Sequence, residues 1–196
     1  MSTNKLFIAL CICVGTLSVM GAAQAGIIKA TASLDYDQEV GPSNPSPSDA
    51  TGVATLWFDT STNLVDLVAN VVGISLADVT FPGDSPLAFG ANGPFHIHDA
   101  PAGVNGPIVV PFREEDFFAD SADGLTITVD DVPYDGTLSG PELISKLRDG
   151  GLYLNLHTLD YASGEIRGQL QVPVPASALL VLAGLAGLAL RRRMGR

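Results

Sequence analysis

Cysteine is almost missing from this chain of 196 residues, which has only Cys11 and Cys13. Both fall in residues 1–25, which read as a secretory signal peptide. Lys5 supplies the charged start, Leu6 to Met20 the apolar stretch, and Ala23-Gln24-Ala25 the small-residue cleavage site. The residues before the two cysteines, Leu10 and Ile12, are too large for a lipoprotein cleavage box. The exported chain is therefore expected to carry no thiol. Disulfide staples are excluded, and stability must come from a core or a bound ion. Basic residues are scarce too. Residues 26–172 hold all 21 acidic residues but only Lys29, Arg113, Lys146, Arg148 and Arg167, a formal net charge of about −16. Such a surface repels nucleic acid and anionic lipid, so no nucleic-acid partner is expected. No P-loop, GxSxG elbow or dinucleotide fingerprint occurs. The acidic run Glu114-Glu115-Asp116, Asp120, Asp123 lacks the EF-hand order, which leaves calcium in a looser loop as a lesser alternative.

The C-terminus carries a long apolar run. Val172-Pro173-Val174-Pro175-Ala176 leads into a stretch ending at Leu190, followed by Arg191-Arg192-Arg193 and Arg196. As a helix, Ala176 to Leu190 would be about 22 Å long, and snorkelling arginines extend its reach toward a transmembrane span. The arginines would stay cytoplasmic. A short proline motif, an apolar helix and terminal arginines together resemble the PEP-CTERM class of bacterial sorting signals, with Val174 where Glu or Leu is usual. The resemblance implies recognition and removal by an exosortase-like enzyme in a Gram-negative bacterium. A permanent C-terminal membrane anchor is the alternative.

Between these ends, residues 26–172 suit one domain. Strands are expected near 27–34, 52–58, 64–74, 93–98, 106–112, 124–130, 151–158 and 165–171. In 64–74, Val65, Leu67, Ala69 and Val71 share a face opposite Asp66 and Asn70. The prolines at 42, 45 and 47 mark a loop, and 75–92 is a long connection. One short helix is expected from a Ser139 cap through Leu143, Ile144 and Leu147 to Gly150. The fold class is all-β: an antiparallel Greek-key-like β-sandwich or a partly closed barrel.

All three histidines lie in strand-like segments. Side chains alternate along a strand, so His96 and His98 share a face opposite Phe95 and Ile97. Likewise Tyr153, Asn155 and His157 lie opposite Leu152, Leu154 and Leu156. If the apolar faces form the core, the three imidazoles project from the other side, where they could converge. Three imidazoles suit copper or zinc. The bland alternative is that they pin loops to the sheet. Asn155 and Thr158 flank His157 and could fix its ring. Glu165, Arg167 and Gln169 share a face of the last strand, where a Glu165–Arg167 pair would be structural. Gly103, Gly106 and Pro107 set a turn in which Asn105 can take unusual backbone angles.

In chain order, Gln38-Glu39-Val40, His96-Ile97-His98, Ala102-Gly103-Val104-Asn105-Gly106-Pro107-Ile108-Val109-Val110, Gly151-Leu152-Tyr153-Leu154-Asn155-Leu156-His157-Thr158 and Gly164-Glu165-Ile166-Arg167-Gly168-Gln169-Leu170 resemble the CHRD domain family. Gly41 stands where the family usually has a proline, and Asp99 where it has a glycine. The resemblance covers about residues 28–171. It implies an immunoglobulin-like or superoxide-dismutase-like β-sandwich without established catalytic activity. The segment Phe95-His96-Ile97-His98 also resembles the copper-ligand strand of copper-zinc superoxide dismutases. No fourth histidine exists to bridge two metals, so dismutase activity is not expected.

The expected organisation is a signal peptide (1–25), a CHRD-like domain (26–172) and a sorting signal (173–196). The expected function is a non-catalytic secreted or surface-associated module. Its partners would be the exosortase-like enzyme and the membrane through the tail, and exopolysaccharide or surface proteins through the body. It would pass through an inner-membrane-anchored intermediate to the cell surface or beyond. The alternative is a periplasmic or extracellular copper or zinc metalloprotein or metalloenzyme using His96, His98 and His157.

Overall fold

Regular alternation builds half of the body. In β1 (Ile27–Asp35), β2 (Thr51–Asp59), β3 (Leu64–Val72) and β7 (Gly124–Pro133), one set of alternate residues is buried and the other faces water over most of the length. Val65, Leu67, Ala69 and Val71 are buried, as their spacing predicts. β1 and β2 pair without interruption from Ile27↔Asp59 to Asp35↔Thr51, and β2 and β3 from Thr51↔Val72 to Asp59↔Leu64.

The other strands are short: β4 (Phe95–Asp99), β5 (Ile108–Phe112), β6 (Phe118–Asp120), β8 (Leu152–Leu156) and β9 (Ile166–Gln169). All nine form a single antiparallel sheet in the order β5-β4-β8-β9-β1-β2-β3-β7-β6. The sheet curls around one core that draws on every strand but β6 beyond Phe118. The all-β, antiparallel expectation holds: one curled sheet brings its two halves face to face across the core, a form between the expected sandwich and the partly closed barrel. β6 was not expected from the sequence; at three residues it is too short to show a period, and Phe118 pins it to the core.

Helix α1 (Gly140–Arg148) lays Leu143, Ile144 and Leu147 into the same core. Pro141 sits in its first turn and Gly150, at φ +68°, follows its end. The Ser139 side chain makes no capping bond, contrary to expectation; its carbonyl accepts from Leu143 N–H at 3.0 Å.

The structure, a computed structural model, describes residues 26–41, 47–81 and 92–173. The expected signal peptide, the tail from residue 174 onward and most of the 75–92 connection lie outside the described residues. Among the described residues no helix is long and apolar enough to cross a membrane.

Candidate metal centre

β4, β8 and β9 differ from the long strands because both of their faces are buried. Phe95, Ile97, Leu152, Leu154, Leu156 and Ile166 enter the core. The opposite face carries His96, His98, Tyr153, Asn155 and Arg167, so the parity read from the sequence holds. Strand pairing sets His96 beside Asn155 and His98 beside Tyr153, with Asn155 beside Arg167 on the far side. Between Ile97↔Val110 and His98↔Ile108 the register shifts by one, leaving Val109 of β5 as the extra residue of a bulge beside His98.

The three imidazoles converge. One nitrogen from each of His96, His98 and His157 lies within 4.8 Å of the others, and no carboxylate joins this group among the described residues. Ring centroids are 4.7 Å apart for His96–His98, 4.6 Å for His96–His157 and 6.4 Å for His98–His157. A metal bonded at about 2.0–2.1 Å keeps its nitrogen ligands about 3.3–4.1 Å apart. Small side-chain rotations would therefore close the cluster on one ion.

The rings are not on an open surface. His96 is 1%, His98 9% and His157 8% exposed, because loops cover this face of the sheet. The turn at residues 100–107 returns over His98, whose Nδ1 lies 2.7 Å from the Gly106 carbonyl oxygen. A Cβ at Gly106 would come within 2.0 Å of the Asp99 carbonyl oxygen, so only glycine lets the loop approach this closely. The next loop presents the Ala162 carbonyl 3.0 Å from His157 Nδ1. A carbonyl only accepts, so in both rings Nδ1 carries the proton and Nε2 the lone pair. A backbone carbonyl on the second ring nitrogen is the support that metal-binding histidines ordinarily have. In His96 neither ring nitrogen makes a hydrogen bond among the described residues.

Burial keeps these rings neutral. It pushes His96 down to about 2, helped by His157 and His98. It brings His157 down to about 4, against the Ala162 contact and with help from His98. His98 is lowered by burial first; the Gly106 bond opposes this and the Arg167 charge adds to it. Neutral imidazole is the form that binds a metal.

Arg167 organises the cover. Its Cζ stands 3.4 Å from the centre of the Tyr153 ring, and His98 stacks on that ring at 4.6 Å and 3°. Its guanidinium donates to the carbonyls of Val104 at 2.9 Å and Pro101 at 3.2 Å, and to Asn105 Oδ1 at 3.2 Å. The expected Glu165–Arg167 pair is replaced by separate partners. Glu165 accepts from the hydroxyls of Ser48 and Thr158, so Thr158 anchors Glu165 instead of the His157 ring. Asn105 has no positive φ; its side chain does the work, donating to the Val40 carbonyl while accepting from Arg167.

Two residues without an expected role complete the site. Gln38 bridges β1 and β9, accepting from Gln169 N–H at 3.3 Å and donating to the Ser33 carbonyl at 2.9 Å. Glu39 is pushed up to about 7 by burial, which outweighs the opposing charge of Arg167. Both lie in Gln38-Glu39-Val40, a segment noted for its likeness to a family motif; neither periodicity nor charge pattern marks them.

Residues 30–170 match the family model described as the CHRD domain. The chain belongs to the CHRD domain family. Membership points to a binding or structural module without catalysis. No curated protein and no solved structure matches the chain. In this CHRD domain, the five segments that carry the resemblance are not scattered. Gln38 to Val40, His96 to His98, the 102–110 loop, Gly151 to Thr158 and Gly164 to Leu170 meet on the covered face of β4, β8 and β9.

Proposed function

We propose that this chain is an exported, non-catalytic CHRD module that holds one transition-metal ion, copper or zinc, on His96, His98 and His157. The observation that carries the reading is the convergence of three neutral imidazoles within 4.8 Å, two of them fixed by backbone carbonyls at Nδ1. Holding a metal is favoured over turnover at it. Rings exposed by 1–9% offer a substrate no open coordination position unless the loops move. The sequence supports the rest: residues 1–25 direct export, and the proline motif, apolar run and arginines of 173–196 direct sorting by an exosortase-like enzyme to the cell surface. The acidic body would there meet exopolysaccharide or other surface proteins.

Elemental analysis of the natively purified protein tests the metal reading. About one copper or zinc per chain is expected, and loss of it in the His96→Ala and His157→Ala variants. Equal metal content in wild type and both variants would remove the site. Mass spectrometry of the exported protein tests the sorting: a mature chain ending near residue 173 is expected, and an intact Arg196 rejects processing.

A further inference from the structure

The charge and geometry of the three-histidine cluster point to a particular ion. Resting on the reading above, we infer that His96, His98 and His157 form a site selective for copper(I) over zinc(II). The donor set comes first. Three neutral imidazoles bring no negative charge, no carboxylate joins them among the described residues, and the chain's two cysteines lie in the expected signal peptide. An ion bound there keeps its full charge. The desolvation cost of an ion grows as the square of its charge, so a dication pays roughly four times what a monocation does.

The charge of Arg167 acts in the same sense. The Arg167 guanidinium lies over Tyr153, and Tyr153 stacks on His98, so one ring separates a permanent cation from a ligand. Its repulsion is twice as large for a dication as for a monocation. Of the two acids nearby, Glu165, just before β9, is already engaged by Ser48 and Thr158, and Glu39, which faces the Arg167 charge, is pushed up to about 7 by burial.

Coordination number gives the third argument. Zinc(II) with three protein ligands completes a tetrahedron with water or another donor. The closed cover over these rings leaves such a fourth ligand poorly accommodated. Copper(I) is satisfied by two or three ligands. The centroid distances suit a T-shaped arrangement, with two short separations that share His96 and one long separation between His98 and His157. His98 and His157, each held at Nδ1, would be the arms and His96 the stem.

The test uses the full-length chain without oxygen, titrated with copper(I) against bicinchoninate and separately with zinc(II) against a chromophoric zinc chelator. One equivalent of copper(I) bound about 100-fold or more tightly than zinc(II) is the expected result. Zinc binding as tight as copper(I) or tighter overturns the selectivity and leaves the metal site standing. Binding of neither ion overturns both. X-ray absorption on the copper-loaded wild type avoids dependence on variants that fail to fold. Two or three nitrogen neighbours at a single copper(I) are expected, and a four-coordinate copper overturns the inference.

Discussion

The long strands β1, β2, β3 and β7 bury one face, whereas the short strands β4, β8 and β9 bury two. In the first group the second face meets water, with Val53, Val68 and Val72 exposed there. In the second group loops cover that face; beneath them Arg167, Thr158, Glu165 and the Gln169 amide nitrogen have named partners, whereas Glu39 Oε1, Asn155 Oδ1 and Gln169 Oε1 have none among the described residues. One sheet thus serves two purposes. The regular half supplies the core, and the covered half surrounds a polar site with rigid backbone. The halves join at β1 and β9, where ladder pairing is reduced to Asp35↔Arg167 and a bridge between Thr31 and Gln171. A Cβ at Gly168 would meet the Ser33 carbonyl oxygen at 2.5 Å, so the seam closes only around glycine.

The sharpest way to break the comparison is to replace one outward residue in each half. Arg167→Met removes three charge-assisted hydrogen bonds, to the Val104 and Pro101 carbonyls and Asn105 Oδ1, and should cost about 3 kcal/mol or more in chemical denaturation. Val68→Thr, outward on the regular half, should stay within about 0.5 kcal/mol. Similar small losses for both would mean that the loops do not hold the covered face.

Acid should open the same half, with a sign set by opposing groups. The folded-state values of His96 and His157, about 2 and about 4, lie below the reference of 6.5, and His98 is lowered as well. The unfolded chain therefore takes up more protons on these rings, and their stabilisation, complete above 6.5, is lost as pH falls toward the folded values. Glu39, raised to about 7 from 4.5, runs the other way: its contribution is complete below 4.5 and is lost as pH rises through 7. Two strongly lowered histidines outweigh one carboxyl. The metal-free protein should lose roughly 2 kcal/mol between pH 6.5 and 5. Glu39→Gln should make that loss steeper, as followed by urea midpoints; a flat profile in both proteins would contradict the burial of the rings.

The seam carries the smallest of these effects. Gln38→Ala removes the side-chain bridge between Ser33 and Gln169 and should cost about 1 kcal/mol. Amide exchange at Gln169 should quicken in this variant. Unchanged exchange would assign the closure to Gly168 alone.

The comparison also explains what the sequence could disclose. Parity on β4 and β8 needs only a period of two, so the convergence of His96, His98 and His157 opposite the leucines was legible. The cover was not. Pro101 to Gly106 and Leu159 to Gly164 have no period; the first is placed by Arg167 and the second approaches His157, in both cases largely through backbone carbonyls that any sequence possesses. Glu165 beside Arg167 suggested an ion pair because opposite charges two apart on a strand share a face. Burial of both side chains sends each to a different loop instead. Strand lengths and spacings do not say whether a sheet closes on itself or stacks on a second, so the curl of the single sheet is not legible in them.

The most direct measurement follows the imidazole nitrogens themselves. Histidine labelled with nitrogen-15, observed while diamagnetic copper(I) is added, reports each ring separately. The metal-bound account predicts that one nitrogen in each of the three rings shifts together and stops at one equivalent, while His98 and His157 keep their Nδ1 protons toward Gly106 and Ala162. Rings that shift independently, or not at all, would contradict it and leave the histidines as pins for the loops above them.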